Sequence, residues 1–312
     1  MPSLSRRTLL EAAVRGAAGA SLALFPGVGA WIAQAQTAAG AARDLGDGLH
    51  VLTVGATNVL AATGADGIAL VDGASAAEAG ALRDLLAALP GGGSVHTLFN
   101  THWHPEQTGS NEALGNAGAT IVAHVNTKLW LTTDVTWPWN GETIEPLADV
   151  ALPNETFYDH AELTVGGRNV QCGYLSDCPH TDGDIYVLFP DANVLAVGDA
   201  VTGAGWPELD WWTGGWAGGL VGGLDILLTV SNAETTFVPA RGPVLSRADM
   251  ETQYAMYSLI WERLTMLLYG GAGPEDAVAA APTKEFEAVM GPSEEFVRRA
   301  FRSLWAYLSP DA

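Results

Sequence analysis

The stretch NTHWHPEQTGSN, Asn100 to Asn111, sets His102 and His104 two positions apart directly after the apolar run VHTLF, then adds Glu106 and Gln107. Residues two apart on a strand share a face, and just past its end their imidazoles can converge on one cation. A bare HxH pair reads equally well as two surface histidines, so partners decide its meaning. Two later stretches supply them. CPHTDGD places His180 in a polar loop before a strand, and NVLAVGDAV ends an apolar strand on Asp199. Three neutral imidazoles and one carboxylate make a tetrahedral set suited to zinc. The seven histidines are His50, His96, His102, His104, His124, His160 and His180, so none follows residue 180.

These residues need a scaffold that brings distant strand ends together. GLHVLTVG, TNVLAATGADGIALVDG and VHTLFN read as short strands broken by turns, with a helix over Ser75 to Leu89 between the last two. NEALGNAG and VNTKLWLTTD read as helices around the strand TIVAH, and Val135 to Pro153 as a Trp- and Pro-bearing loop that covers a cleft. A second β-rich half follows in AELTVGG, RNVQCGYL, DIYVLFP and NVLAVGD. GGLVGGLDILLTV then reads as a helix, TTFVPARG as a strand, and the segments from Ala248, Pro274 and Ser293 as closing helices. Two β-rich halves with helices predict two sheets packed face to face, with the helices outside.

Residues 1–35 read separately, as a twin-arginine export signal: Arg6 and Arg7 precede an apolar stretch too short and too rich in Gly and Ala for a convincing membrane span, ending in AQA at Ala33 to Ala35; the alternative reading is an uncleaved membrane anchor. Cleavage there leaves 36–312 as one domain and predicts a periplasmic or otherwise exported protein with no stable membrane insertion. The whole chain carries −21, the signal +2, and so the remainder −21 − 2 = −23, with Lys128 and Lys284 its only lysines. That charge argues against nucleic acid and anionic membrane surfaces as partners. An exported chain permits a short-loop disulfide between Cys172 and Cys178; the alternative, a thiolate ligand at Cys178, competes with histidines that already fill a site. Oligomeric state is not encoded in any of these features.

THWHPEQTG, HTDGD, NVLAVGD and VPARGPV, in this order and spacing, resemble the metal motifs of the metallo-β-lactamase fold superfamily, over about Gly48 to Asp249. The resemblance implies an α+β fold, a four-layer αββα sandwich of two mixed β-sheets flanked by helices, with metal at one edge between the sheets. It matches His102, His104 and His180 to the first-site ligands and Asp199 to the carboxylate that bridges two metals. The family's first motif is usually HxHxDH and its last a Gly-His-Gly turn; the second-site positions here read Glu106, Gln107 and Arg241. Glutamine is a poor zinc ligand and arginine a permanent cation. One zinc per chain is therefore expected, with Arg241 in the second position, paired with Glu106 and Asp199.

The resemblance implies a metallo-hydrolase whose metal-bound hydroxide attacks an ester, lactone or amide carbonyl, with Asp199, Glu106 and Arg241 as the catalytic groups around it. A dedicated β-lactamase is disfavoured, because the second metal that stabilises the departing nitrogen is missing. Trp103, Trp137, Trp139, Trp206, Trp211, Trp212 and Trp216 cluster in the covering loops and predict an apolar or aromatic small-molecule substrate, although tryptophans serve packing as often. Two alternatives remain: a mononuclear Fe(II) persulfide-dioxygenase-like enzyme using His102, His180 and Asp199, or a non-catalytic periplasmic binding protein with a structural metal.

Overall fold

The computed structural model describes residues 40–90 and 93–308. The export signal read over residues 1–35 lies outside them. Among the described residues, no helix is long and apolar enough to cross a membrane.

The described residues open with a meander: β1 (Ala41–Gly46), β2 (Leu49–Val54), β3 (Thr57–Gly64) and β4 (Gly67–Val71) pair antiparallel in sequence order. A helix, α1 (Ala79–Ala87), crosses to β5 (Val95–Phe99), which lies parallel to β4. Short helices α2 (Pro105–Thr108) and α3 (Asn111–Asn116) then lead to β6 (Thr120–His124), parallel to β5. After α4 (Val125–Leu131), a small hairpin of β7 (Val135–Thr136) and β8 (Thr143–Ile144) occupies the stretch read as a covering loop. β9 (Glu155–Phe157) completes a seven-stranded sheet in the order β1-β2-β3-β4-β5-β6-β9.

The second sheet is five-stranded: β10 (His160–Val165), β11 (Arg168–Tyr174), β12 (Ile185–Phe189), β13 (Val194–Gly198) and β14 (Thr236–Pro239). Its first four strands are antiparallel; β14 returns parallel to β13 after α5 (Ala217–Thr229). The outer cover is α6 (Arg247–Tyr269), α7 (Pro274–Ala280), α8 (Glu287–Met290) and α9 (Glu294–Leu308).

Strand alternation explains the layering. Leu49 and Val51 of β2, Leu60 and Ala62 of β3, and Val71 of β4 point inward to meet Val170, Ile185, Val187, Val194 and Ala196 of the second sheet. Their neighbours Leu52, Val54, Val59 and Ala61 point the other way, onto Leu82 and Leu86 of α1. Across the molecule Leu195, Val197 and Phe237 face Leu220, Leu224, Ile260 and Phe301 of the outer helices. The result is helix, sheet, sheet, helix, each fully buried aliphatic or aromatic side chain contributing about 1.5–3 kcal/mol.

The glycines of α5 set the approach of the site. A Cβ on Gly219 would strike the carbonyls of Asp177 and Cys178, and one on Gly223 would come within 2.8 Å of Pro179 Cβ. Only a bare helix face can lie against the loop that delivers His180. The two cysteines are both free. Cys172 points into the inter-sheet core, whereas Cys178 sits beyond the strand with its Sγ 3.7 Å from the Tyr174 hydroxyl.

Candidate metal centre

The HxH loop is held from three sides. Asn100 exchanges hydrogen bonds with Asn111 at the start of α3, at 3.1 and 2.8 Å. Thr101 donates its backbone N–H and its hydroxyl to the carboxyl oxygens of Asp72, which follows β4 in the left-handed region (φ 65°). Burial pushes Asp72 up to about 8, against the lowering effect of the Thr101 bonds. The same hydroxyl lies 3.1 Å from His102 Nδ1. The Thr101 hydroxyl, bonded to Asp72, thus engages the Nδ1 edge of the ring and leaves Nε2 as the edge open to a metal. That nitrogen is buried and has no hydrogen-bond partner.

Thr101 also reaches the second sheet. Gly198, the last residue of β13, has φ +55°, and a Cβ there would stand 2.7 Å from Thr101 Cβ. The glycine lets β13 close on the HxH loop and places Asp199 beside it.

His104 and His180 are fixed in the same manner. His104 Nε2 lies 2.9 Å from the fully buried Asp210 Oδ2, and His180 Nδ1 2.7 Å from the Glu208 carbonyl. Asp184 grips the loop around His180, accepting the N–H of His180 at 2.7 Å and of Thr181 at 2.8 Å. With both outer nitrogens engaged, His104 Nδ1 and His180 Nε2 face each other 3.1 Å apart, a spacing that a shared proton or a cation between them satisfies. Donor atoms of His102, His104 and His180 all fall within 4.8 Å of one another. Two nitrogens of a tetrahedral zinc site stand roughly 3.3 Å apart, so the residues fit the metal.

Protonation states agree with this in part. Burial, then the charges of His180 and His104, hold His102 well below the usual imidazole range, in the neutral form a ligand needs. Burial works the same way on His104, but the Asp210 hydrogen bond and charge outweigh it and raise its pKa. A bound metal would compete with that proton.

Asp199 stands beside the histidine cluster, its Oδ2 3.7 Å from His102 Nε2. It is already engaged: Gln107 Nε2 donates to Oδ2 at 3.1 Å, while Arg241 brings Nη2 to Oδ2 and Nε to Oδ1, both at 3.4 Å. Arg241 therefore pairs with Asp199 as expected, but its other ion-pair partner is Glu208, at 3.8 Å, and not Glu106. Neighbouring helix positions point about 100° apart. Gln107 turns into the buried site and Glu106 stays partly exposed.

The tryptophans divide. Trp103 is buried and donates to Thr213 Oγ1; Trp206 stacks on Phe296 and Trp216 on Tyr307, both against α9. These three pack the scaffold. Trp137 lies 5.5 Å from the His104 ring and continues through Trp139 and Trp211 to Trp212, which is half exposed. Sequence reasoning did not single out Thr101, Asp72, Asp184, Glu208, Asp210 or Arg299. Only Asp184 carried a local signal, as the final residue of HTDGD.

Comparison with known proteins places this arrangement. No curated protein matches the chain in sequence. Among solved structures it is similar to a metallo-beta-lactamase from Pontibacter korlensis, at 16% identity and a TM-score of 0.53, covering 70% of this chain and 98% of that one. A metallo-beta-lactamase family protein from Thermus thermophilus aligns at 21% identity and a TM-score of 0.60, covering 82% and 94%. A stereoselective inverting sec-alkylsulfatase from Pseudomonas sp. aligns at 14% identity and a TM-score of 0.67, covering 86% of this chain but 50% of that one. These likenesses show the fold. The family model described as the metallo-beta-lactamase superfamily matches residues 52–240, more than half of the sequence, and the chain belongs to that superfamily.

Proposed function

We propose that this protein is an exported, mononuclear metallo-hydrolase, acting on the ester, lactone or amide carbonyl of a small apolar or aromatic substrate. The observation that carries the reading is the arrangement of His102, His104 and His180: three imidazoles with their outer nitrogens bonded elsewhere and their inner nitrogens converging. A zinc ion held there would polarise the carbonyl and lower the pKa of a bound water from 15.7 towards roughly 7.

The chain's own groups supply the rest. Asp199, beside His102 Nε2, orients the attacking water by accepting its hydrogen bond. Arg241 faces the same space and stabilises the oxyanion that develops on the carbonyl. Glu106, partly exposed at the start of α2, carries the proton to the leaving group. The Trp137–Trp139–Trp211 wall shields the site and receives the apolar part of the substrate. Two features support a single metal: Gln107 and Arg241 occupy Asp199, and a guanidinium cannot ligate. Export rests on Arg6, Arg7 and the apolar stretch that follows.

The test is elemental analysis of the purified protein joined to an ester, lactone and amide panel, repeated with His102→Ala and His180→Ala. One zinc per chain and loss of turnover in folded variants is the expected result. Two metals per chain would remove the mononuclear reading, and undiminished turnover in the variants would remove the metal from the chemistry. The Fe(II) alternative needs Asp199 as a ligand, freed from Gln107 and Arg241; oxygen uptake with a persulfide is expected to be absent.

A further inference from the structure

Glu208 does two unrelated things. Its backbone carbonyl holds His180, so its position in the chain is fixed, while its side chain reaches outward to two guanidinium groups. Oε1 accepts from Arg299 Nη1 at 2.8 Å, and Oε2 lies 3.8 Å from Arg241 Nη1. Arg241 comes from the turn after β14 and Arg299 from the middle of α9, so two remote elements converge on one carboxylate. Arg299 is further set by Glu295, at 2.9 Å, and by the face of Trp139, whose ring centre is 4.4 Å from the guanidinium carbon. A stacked and paired guanidinium is pre-organised to grip a carboxylate.

The histidines are at most 3% exposed, whereas Arg241 and Glu208 keep 35% each. The Arg241–Glu208 pair is thus the outer layer of the site. An exposed ion pair of this kind adds little to stability, about 0–1 kcal/mol. Breaking it frees Arg241, and the tighter bond from Arg299 to Oε1, at 2.8 Å, is the one a competing carboxylate must replace.

We infer that Glu208 is an internal stand-in for a carboxylate on the substrate, which displaces it from Arg299 and Arg241 and lays its apolar body on Trp139 and Trp211. This rests on the hydrolase reading and narrows its substrate to an apolar ester, lactone or amide that carries a carboxylate. The strongly acidic surface repels such a molecule at long range, so recognition is local to these two arginines.

The test is titration of phenylacetate and its neutral isostere phenylacetamide against the protein, with and without zinc, read by calorimetry and tryptophan fluorescence. Wild type is expected to bind phenylacetate at least about tenfold more tightly than phenylacetamide in both conditions. Arg299→Gln abolishes that preference, Arg299→Lys keeps part of it, and Glu208→Gln, which removes the internal competitor, tightens phenylacetate. A preference that needs zinc and survives in Arg299→Gln and Arg299→Lys overturns the inference, because the carboxylate then sits on the metal. Weaker or unchanged binding by Glu208→Gln overturns it as well. Should Arg299→Gln fail to fold, the lysine and Glu208 variants decide. The readout is binding, so absence of any turnover would count against the hydrolase reading and leave this result standing.

Discussion

Gln107 Nε2 donates to Asp199 Oδ2 at 3.1 Å, and Arg241 closes on the same carboxylate at 3.4 Å. Two of the three positions that the motif resemblance assigns to a second metal, Gln107 and Arg241, are here bound to Asp199 through their own side chains. The triple variant Glu106→Asp, Gln107→His, Arg241→His, which restores the family's usual ligand types, is expected to raise bound zinc from one to two equivalents by elemental analysis. A count that stays at one would mean that backbone placement, not side-chain identity, closes the second position.

Asp210 fixes His104 and also accepts Thr213 Oγ1 at 2.7 Å, so it sets one ligand's ring orientation and anchors the loop beneath Trp211. Asp210→Asn keeps the shape and removes the charge. Zinc affinity by chelator competition is expected to fall about 10–100-fold while the circular dichroism spectrum is retained.

Gly198→Ala places a methyl group against Thr101 and puts a side chain at φ +55°. Urea unfolding is expected to show a loss of about 1–3 kcal/mol. Zinc binding should weaken too, since Thr101 also orients His102.

What the sequence makes legible depends on how local the signal is. His102, His104 and Asp199 are readable because each follows an apolar strand, and His180 because it lies in the polar loop just before one; strand ends are where a two-sheet sandwich gathers side chains. The two sheets themselves follow from period-two runs such as VHTLF and NVLAVG. Asp210 and Glu208 lie in GWPELDWWTGGW, where no periodicity says which residues turn inward. Arg299 belongs to an amphipathic helix, and its sequence neighbourhood is that of a surface charge; only the packing of α9 across the site gives it a role. The tryptophans mislead for the same reason. Trp206 and Trp211 look alike in sequence, yet Trp206 stacks on Phe296 of α9 against the core while Trp211 joins the tryptophan wall beside Trp139.

That division is measurable. Trp206, stacked on Phe296 and bonded to the Gly291 carbonyl at 2.9 Å, is expected to cost about 3–5 kcal/mol on replacement by alanine, read by thermal or urea unfolding. Trp212→Ala, at a half-exposed position, should change stability by less than about 0.5 kcal/mol and instead weaken binding of aromatic ligands.

The closing helices are tied by ion pairs that give a defined acid response. The Arg298 hydrogen bond holds Glu275 below the usual carboxylate range; for Glu295, burial opposes ionisation but the bonds to Arg299 and Arg298 outweigh it. Depressed folded-state values stabilise the protein above the unfolded value, about 4.3, and that contribution is lost as pH falls through the folded values. Wild type is therefore expected to lose stability below pH of about 4.5, and Arg298→Ala to lose less over the same window, in urea midpoints measured against pH.

His102 leaves the end of β5 in one sheet, and His180 enters β12 in the other. Neither half of the molecule can hold the ion alone, so the donor set exists only after the sandwich has shut. An ion captured there favours the closed state by mass action and must be surrendered before the halves can part. An ion held there would act as a latch on unfolding, and the lifetime of the folded protein, not only its equilibrium stability, should lengthen with zinc.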